Sequence, residues 1–272
     1  MSDLFDWYER DYLPDLTKQV QHDYHLMIVH LRSAFGEMSP QDVKPRHVRD
    51  FLEVKTGRIH RNRMVMILSS VFTKAIAKYC IDDDLRNPCW KIERWPTPPR
   101  DRYVTDEEFA AVRELAPVTV QIAMDLAWLT SQRQSDIIRL KWSSVTMTGP
   151  RDRWHIEIRQ GKTGKRLAIR ISEALELVLN RAKEHPARSG ETVIRRRDGR
   201  GFTSHGFRSK WQRVIRQWGK LGHERFHFHD LRAKSISDNE SLDAAYGLAG
   251  HIDIAMTRRV YDRGVRFVQP LR

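Results

Sequence analysis

The feature that most constrains this 272-residue chain is a cluster of prolines before its middle. Residues 86–102 contain four of them, namely Pro88, Pro96, Pro98 and Pro99. Proline lacks a backbone donor and disfavours helix at the residue before it, so this segment favours extended chain. The sequence therefore predicts two domains, residues 1–85 and residues 103–272, joined by a linker at residues 86–102.

Residues 1–85 show helical periodicity throughout. Between Thr17 and Phe35, apolar residues recur at spacings of three and four, which marks one face of a helix, and Gly36 follows as a stop. Further helices are predicted from Ser2 to Tyr12, from Pro45 to Lys55 and from Arg61 to Cys80. No strand pattern and no acid–base constellation is found here, so a small helical binding domain is expected.

The second part begins with a helix start signal and combines helices with a hairpin. Thr105 and Glu108 fit a capping box. Trp154–Arg159 and Arg166–Ile171 alternate as strands do, and Gln160–Lys165 has the composition of a hairpin turn. Helices are predicted near residues 105–115, 118–129, 135–141, 172–184, 204–219, 229–239, 241–249 and 253–262. The expected fold is mainly α: an all-helical domain followed by an α+β domain with a small antiparallel sheet.

The charge distribution predicts an acidic partner. The formal net charge is +13, and residues 1–97 hold 15 Lys and Arg against 14 Asp and Glu, so nearly all of the excess lies further along. The first part nevertheless has a local basic cluster, formed by Lys44, Arg46, Arg49, Lys55, Arg58, Arg61 and Arg63. Two positive surfaces suit double-stranded DNA, because each neutralised phosphate releases counterions. In the second part we expect Arg208 and Lys210, on the 204–219 helix, to bind DNA.

Several other classes of protein are disfavoured. No run of 18 apolar residues is present, the N-terminus is acidic, and two cysteines are too few for a disulfide framework. A reduced, cytoplasmic protein without a membrane partner is expected. His223, His227 and His229 are close in sequence but lack a nearby cysteine or a helical i, i+4 pairing with a glutamate, so no metal site is predicted.

Six polar residues of the second part stand where turns and helix ends would project them. Arg133 follows Leu-Thr-Ser-Gln, and Lys162 lies at the tip of the hairpin. His229 and Arg232 are three residues apart, a spacing that places them on one helical face. His251 follows Gly250, and Tyr261 lies ten residues later.

In these strings the sequence closely resembles the tyrosine recombinase (phage integrase) family. The matching strings, in order, are Leu-Thr-Ser-Gln-Arg133, Gly-Lys162-Thr-Gly, His229-Asp-Leu-Arg232, Leu-Ala-Gly-His251 and Arg-Val-Tyr261. Two departures are mild: Ser131 stands where the family usually has a glycine, and Asp136 where glutamate is commoner. The resemblance implies a tyrosine-recombinase fold, with residues 1–85 as a core-type DNA-binding domain and residues 103–272 as the catalytic domain.

The chemistry of phosphodiester transfer accounts for the two arginines. Extra negative charge develops on the non-bridging oxygens in the transition state. The guanidinium groups of Arg133 and Arg232 can hold those oxygens bidentately and remain charged at any pH. No metal ion or other cofactor is therefore expected.

The remaining four residues are expected to transfer protons, attack phosphorus or bind the phosphate. Tyr261 is the expected nucleophile. Because its free pKa is about 10, roughly 0.1% of it is phenolate at neutral pH, so it needs a base, and His229 is the candidate. Lys162 would protonate the leaving 5′ oxygen, and His251 would hydrogen-bond the scissile phosphate. The resemblance implies a 3′-phosphotyrosine intermediate, whose bond energy allows resealing without ATP.

The resemblance also implies partners and leaves alternatives open. It implies a homotetramer acting on specific core sites through a Holliday junction, in the cytoplasm or nucleoid of a bacterial host, with DNA-bending or directionality proteins as further partners. A strand at Val265–Val268 is expected to couple protomers.

The alternatives are a catalytically silent DNA-binding regulator, and topoisomerase IB-like or resolvase activity. A metal-dependent nuclease would need a carboxylate cluster that the sequence lacks. No arm-binding domain of the kind that many phage integrases carry is recognised. Two explanations are expected: the sequence is a piece of a longer protein, or it is a family member that does without this domain.

Overall fold

The computed structural model of the chain describes residues 1–54, 57–78, 81, 84–98, 100–185, 189–239 and 241–250. The chain divides into two compact units, Met1–Pro98 and Pro99–Arg272, each with a hydrophobic core. The helix expected at residues 253–262 and the strand expected at 265–268 lie outside the described residues. So do three of the expected site residues, Lys55, His251 and Tyr261.

The first unit is all-helical in its described residues, as predicted. Its α-helices are α1 (Ser2–Asp11), α2 (Lys18–Phe35), α3 (Pro45–Glu53) and α4 (Arg58–Ala77). Their apolar faces meet in a core that includes Phe5, Ile28, Leu31, Leu68 and Phe72. Helix α4 begins three residues before the predicted start, because Gly57 takes a left-handed conformation (φ 71°) that lets the chain turn into the helix there.

The proline-containing segment packs on the first unit as far as Trp95. Asn87 donates from Nδ2 to the carbonyl of Ser69 at 2.9 Å, and the indole N–H of Trp95 donates to the carbonyl of Leu52 at 2.7 Å. The side-chain amide of Asn62 pairs with the backbone of Trp95, donating to its carbonyl (2.7 Å) and accepting from its N–H (3.1 Å). These hydrogen bonds fix the extended segment against the first unit although the segment forms no helix.

The second unit is mainly helical with one small sheet. Its described helices are α5 (Asp106–Leu115), α6 (Val118–Thr130), α7 (Gln134–Ile137), α8 (Glu173–Glu184), α9 (Ser204–Lys220), α10 (Asp230–Ser237) and α11 (Leu242–Ala249). Its strands are β1 (Val145–Thr146), β2 (His155–Arg159) and β3 (Arg166–Arg170). The expected fold class is thus confirmed, although α7 ends earlier than predicted and β1 is too short to produce an alternating pattern.

The sheet is antiparallel throughout, in the order β1-β2-β3. Strands β2 and β3 pair from His155 opposite Arg170 to Arg159 opposite Arg166. The backbone N–H of Gln160 donates to the carbonyl of Lys165 at 2.9 Å, which closes the predicted hairpin. The residues between them form the tip of the hairpin.

Helix α6 is the centre of the second unit, and it packs against α8 and α10. Its buried residues are Val120, Ile122, Ala123, Met124, Asp125, Leu126, Ala127 and Thr130. Helix α9 instead buries one apolar face. The rings of Phe207 and Trp211 lie 5.2 and 5.3 Å from that of Phe228, which fixes the chain just before α10.

Helix α10 is anchored by an unusual buried lysine. The Lys234 side chain is fully buried, and its Nζ lies 2.5 Å from a carboxylate oxygen of Asp106 and 3.0 Å from one of Asp238. Burial acts to lower the pKa of Lys234, but the hydrogen bonds to these carboxylates outweigh it and raise the pKa overall. The lysine therefore stays charged at neutral pH and ties α10 to the start of α5.

Among the described helices, none is long and apolar enough to cross a membrane.

Candidate active site

The turn that carries Arg133 follows the end of α6. Ser131 adopts a left-handed conformation (φ 54°, ψ 20°), and its hydroxyl contacts that of Ser235 on α10. A non-glycine residue in this region costs about 1–2 kcal/mol, which gives a physical reason for glycine at this position in the family. After the turn, Arg133 is the half-buried N-cap residue of α7, and its side chain makes no capping hydrogen bond to the helix.

The side chain of Gln160, at the base of the hairpin, is in contact with this turn. It is fully buried, and its Oε1 accepts hydrogen bonds from Nη1 of Arg133 at 3.3 Å and from the hydroxyl of Thr163 at 2.8 Å. Its Nε2 donates to Oε1 of Gln132 and to the carbonyl of Ala249, both at 2.8 Å. One amide thus joins the Arg133 turn, the hairpin and the end of α11.

Lys162 is exposed at the tip of the hairpin, as the sequence predicted. The base of this tip is held by Asp136 on α7, whose Oδ1 accepts from the backbone N–H of Gly161 at 2.9 Å and from Arg139 at 3.1 Å. An aspartate in place of the commoner glutamate therefore still provides a carboxylate acceptor for the hairpin.

His229 and Arg232 belong to the start of α10 but differ in exposure. His229 is the exposed N-cap residue, whereas Arg232 is 1% exposed. The guanidinium of Arg232 donates from Nη1 to the carbonyl of Ser131 and from Nη2 to that of Ala249, the latter at 2.8 Å. Arg232 therefore holds the Arg133 turn and the end of α11 on the same side of α10.

Asp230, between these two residues, fixes the start of α10. Its carboxylate is buried; it accepts from the backbone N–H of His227 at 2.8 Å and from Nε of Arg100 at 2.9 Å. A carboxylate at the first turn of a helix also interacts favourably with the helix dipole. Asp230 thus orients the turn that presents His229.

Helix α11 ends at Gly250, one residue before His251. Gly250 has a φ of 63°, and a Cβ atom there would lie 2.8 Å from Nε2 of Gln160 and 2.9 Å from a methyl group of Leu167. The carbonyl of Leu248 accepts from Nε2 of Gln132 at 2.8 Å. The glycine before His251 is thus required both by the backbone conformation and by close contact with Gln160.

The structure therefore brings together the segments of four of the six expected catalytic residues. The Arg133 turn, the Lys162 hairpin and the Arg232 helix meet around Gln160 and the carbonyl of Ala249. Within the described residues, no group of three or more His, Cys, Asp or Glu side chains could hold a metal ion. Chemically, these segments carry two guanidinium groups, an exposed lysine and an exposed histidine, and such cationic groups suit an anionic substrate.

Two glutamines of this site were not singled out by sequence reasoning. Gln132 and Gln160 are each at most 1% exposed, and both act through contacts with segments distant in sequence. One local signal was available for Gln160. It is the polar residue that ends an alternating strand directly before the turn, where the side chain lies beside the hairpin tip.

The basic cluster of the first unit is largely on the surface. Its exposed members are Lys44, Arg46, Arg49, Arg58 and Arg63. Arg61 differs, because its Nη1 donates to the carbonyl of Phe51 at 2.9 Å and its guanidinium lies 4.6 Å from the Phe51 ring. Arg58 is exposed yet stacks over Trp95 at 4.1 Å. The surface members remain predicted DNA-binding residues, whereas Arg61 joins α4 to α3.

In the second unit, Arg208 is exposed on α9, and Lys210 is half-buried with its Nζ 5.7 Å from the Phe202 ring. Lys210 also lines an open basic cleft together with His185, Arg196, Arg197, Thr203 and Arg213. Burial, followed by the charges of Arg195 and Arg197, lowers the pKa of His185. The positive charge of this cleft at neutral pH therefore comes from its arginines and its lysine.

Solved structures of lambda integrase have the same fold as this chain. A dimer of lambda integrase residues 75–356 bound to a COC′ core site superposes with a TM-score of 0.83 at 22% identity, covering 100% of this chain and 99% of that one. The lambda integrase tetramer bound to a Holliday junction gives 0.82 at 21% identity, covering 99% and 79%. These similarities show that the chain has the tyrosine-recombinase fold of lambda integrase.

Sequence comparison then gives the family. The model of the Phage integrase family matches residues 107–264, which is more than half of the chain. The integrase of Escherichia phage HK022 is 28% identical over 185 residues, covering 63% of this chain and 49% of that protein. The chain thus spans about half the length of this relative. It belongs to the phage integrase family.

Proposed function

We propose that this protein is a site-specific DNA recombinase that cuts and rejoins strands through a 3′-phosphotyrosine bond to Tyr261, without a metal ion or ATP. The observation that carries the proposal is the convergence of the Arg133 turn, the Lys162 hairpin and the Arg232 helix at Gln160 and Ala249. The convergence point lies at the end of α11, from which the chain continues into His251 and Tyr261.

The two arginines would stabilise the negative charge of the transition state. Within the described residues, the guanidinium of Arg133 donates one hydrogen bond, to Gln160, and a guanidinium group has five N–H donors. Arg133 can therefore contact phosphate oxygens directly while Gln160 fixes its orientation. Arg232 would add its charge from a buried position, where water screens charge weakly, and would hold the surrounding backbone carbonyls.

The other residues would carry out the proton transfers. His229 would accept the proton of Tyr261 as its oxygen attacks phosphorus, and Lys162 would protonate the departing 5′ oxygen. The exposure of both side chains supports this division, because each must reach a DNA backbone that approaches from outside. His251 would hydrogen-bond the scissile phosphate. Rejoining is the reverse sequence, with a 5′-hydroxyl attacking the phosphotyrosine.

The relatives support a proposal for substrate and assembly. Lambda integrase has been crystallised as a dimer on a core site and as a tetramer on a Holliday junction. We propose that this chain likewise acts as a homotetramer on double-stranded core sites, exchanging strands through a Holliday junction, in the cytoplasm or nucleoid of a bacterial host. Residues 1–85 would bind the core site through the exposed arginines and lysines, residues 103–272 would catalyse, and DNA-bending or directionality proteins would be further partners.

The test uses a cognate core site, selected from random DNA, with a nick that lets the cut fragment diffuse away. With EDTA present, the wild type should form a protein–DNA adduct that survives SDS, and Tyr261→Phe should bind the DNA without forming it. Adduct formation that requires a divalent metal would contradict the proposal. Binding without any wild-type adduct would instead indicate a silent regulator.

A second assay separates recombination from related activities. Two core sites on separate duplexes should yield recombinant products and a trapped four-way junction. Relaxation of supercoiled DNA with no exchange between sites would indicate topoisomerase IB-like activity. Exchange restricted to two sites on one molecule would indicate a resolvase.

A further inference from the structure

We propose that Gln160 is a positioning residue, which sets Arg133, the Lys162 hairpin and the segment leading into His251 in one fixed arrangement. The inference rests on the proposed function and concerns a side chain outside the six expected catalytic residues. Gln160 would not touch the DNA itself. It would act by holding groups that do.

All four hydrogen-bonding positions of the Gln160 amide are used. Its NH₂ group donates to Ala249 and Gln132, and its oxygen accepts from Arg133 and Thr163. The orientation of the amide is set by its partners, since two are acceptors and two are donors. A glutamine side chain thus matches a site that needs two donors and two acceptors at one point.

The side chain has no freedom to adjust. It is fully buried, so a lost hydrogen bond cannot be replaced by bulk water without opening the site. On the side of α11, the Cα of Gly250 is so close that a single added carbon would lie 2.8 Å from Nε2 and 3.0 Å from Oε1 of Gln160. The backbone of Gln160 is also fixed, because its N–H donates to the carbonyl of Lys165 and its carbonyl accepts from the N–H of Gly164.

The connection to catalysis follows from which residues are joined. Arg133 bonds to the amide directly, Thr163 is the neighbour of Lys162, and Ala249 precedes His251 by two residues. Ala249 also accepts from Arg232, so both guanidinium groups are connected through Gln160 and one carbonyl. Losing the amide would loosen several reactive groups at once, and displacements near 1 Å can cost about 100-fold in rate.

The experiment compares Gln160→Met with Gln160→Glu, and uses Gln121→Met and Gln121→Glu as matched controls. Gln121 is a partly buried glutamine of α6 that donates to Ala116 and accepts from Arg181, away from this network. The measurements are the single-turnover rate of adduct formation on the nicked core site, the Kd for the same DNA, and the melting temperature.

We expect Gln160→Met to slow adduct formation about 100-fold while the Kd changes less than threefold, because positioning affects the reaction rather than DNA affinity. The Gln121 variants should react at the wild-type rate. A Gln160→Met rate within threefold of the wild type would overturn the inference and leave the proposed function standing. Absence of a wild-type adduct would overturn the proposed function and, with it, this inference.

Gln160→Glu provides a pH readout that a purely structural role would not produce. The introduced carboxylate keeps the acceptors for Arg133 and Thr163, but it has no hydrogen to donate to Ala249 or Gln132, and its charge would pair with Arg133. Protonation restores one donor and removes that charge. The ratio of variant to wild-type rate should therefore rise as the pH falls, and a ratio that is low and independent of pH would contradict the inference even if Gln160→Met does not fold.

Discussion

Gly250 and Ser131, which are close in sequence to the proposed catalytic residues His251 and Arg133, both adopt left-handed backbone conformations, with φ angles of 63° and 54°. Ser131 takes on the cost of that conformation and gains a contact with the hydroxyl of Ser235. Gly250 has a second constraint, since its Cα lies against the amide of Gln160 and a methyl group of Leu167. A serine is therefore accommodated at one position, while the other requires glycine.

We expect Gly250→Ala to destabilise the protein by at least about 1 kcal/mol, the cost of a left-handed alanine, and to slow adduct formation by displacing Gln160. Gly247→Ala is the matched control. It lies on the same helix, and no described residue comes within 4 Å of an added Cβ, so it should stabilise by roughly 0.5–1 kcal/mol. Chemical denaturation measures both effects, and equal stabilities for the two variants would refute this account of Gly250.

Helix termini in the second unit follow local sequence rules, and α5 shows this most fully. Thr105 Oγ1 accepts from the backbone N–H of Glu108 at 3.3 Å, and the Glu108 carboxylate accepts from the backbone N–H of Thr105 at 3.0 Å. Burial acts to raise the pKa of Glu108, but hydrogen bonds from Arg102 and the Thr105 backbone lower it overall. The capping box therefore carries its full charge at neutral pH.

Thr105→Ala should reduce the free energy of unfolding by about 1 kcal/mol, because it leaves a helical N–H without its acceptor. Thr105→Ser keeps the hydroxyl and should cost less than half as much. Urea titration followed by circular dichroism compares the two variants. A Thr105→Ala protein as stable as the wild type would show that the cap does not contribute.

Elements with strong local signals were predictable from the sequence. Helix α2, the capping box of α5 and the β2–β3 hairpin follow from periodicity and turn composition, and each lies within one or two residues of its predicted bounds. Helix α4 begins earlier than predicted because Gly57, in a left-handed conformation, is its N-cap residue. Strand β1 is two residues long, so it exists through pairing with β2 and not through its own pattern.

The site was predictable only in part, because only some of its features depend on local sequence. The motifs located Arg133, Lys162, His229 and Arg232 on turns and helix starts, because each motif is local. The contacts that join them are not local: Gln160 reaches Ala249 across 89 residues, and Arg232 reaches Ser131 across 101. Single-sequence patterns contain no signal for such pairs, so the contacts made by Gln132 and Gln160 emerge only from the folded chain.

At the scale of the whole molecule, the net charge of +13 predicts DNA binding that weakens as salt rises. The residues responsible differ in how the fold uses them. Arg63 is exposed on α4, while Arg61, two residues earlier, is bonded to the carbonyl of Phe51 and stacked on its ring. The two arginines are therefore a natural pair for separating DNA contact from stability.

Arg63→Ala should lower the slope of log K against log salt concentration by about one, the loss of a single phosphate contact, with little change in stability. Arg61→Ala should chiefly destabilise the first unit, because it removes a hydrogen bond and a stacked cation. Gel-shift titrations at several salt concentrations, together with thermal melting, resolve the two effects. The reverse pattern, with Arg61 setting the slope, would contradict the internal role of Arg61.

Mass spectrometry of the trapped adduct tests most directly whether Tyr261 becomes linked to a 3′ phosphate of DNA, as proposed. Trypsin should release the tetrapeptide Val260–Arg263 around this tyrosine. After nuclease digestion, this tetrapeptide should carry the mass of a nucleotide joined through its 3′ phosphate, and the other cut end should bear a free 5′-hydroxyl. A nucleotide on any other residue, such as Tyr246, or a link through a 5′ phosphate would contradict the account.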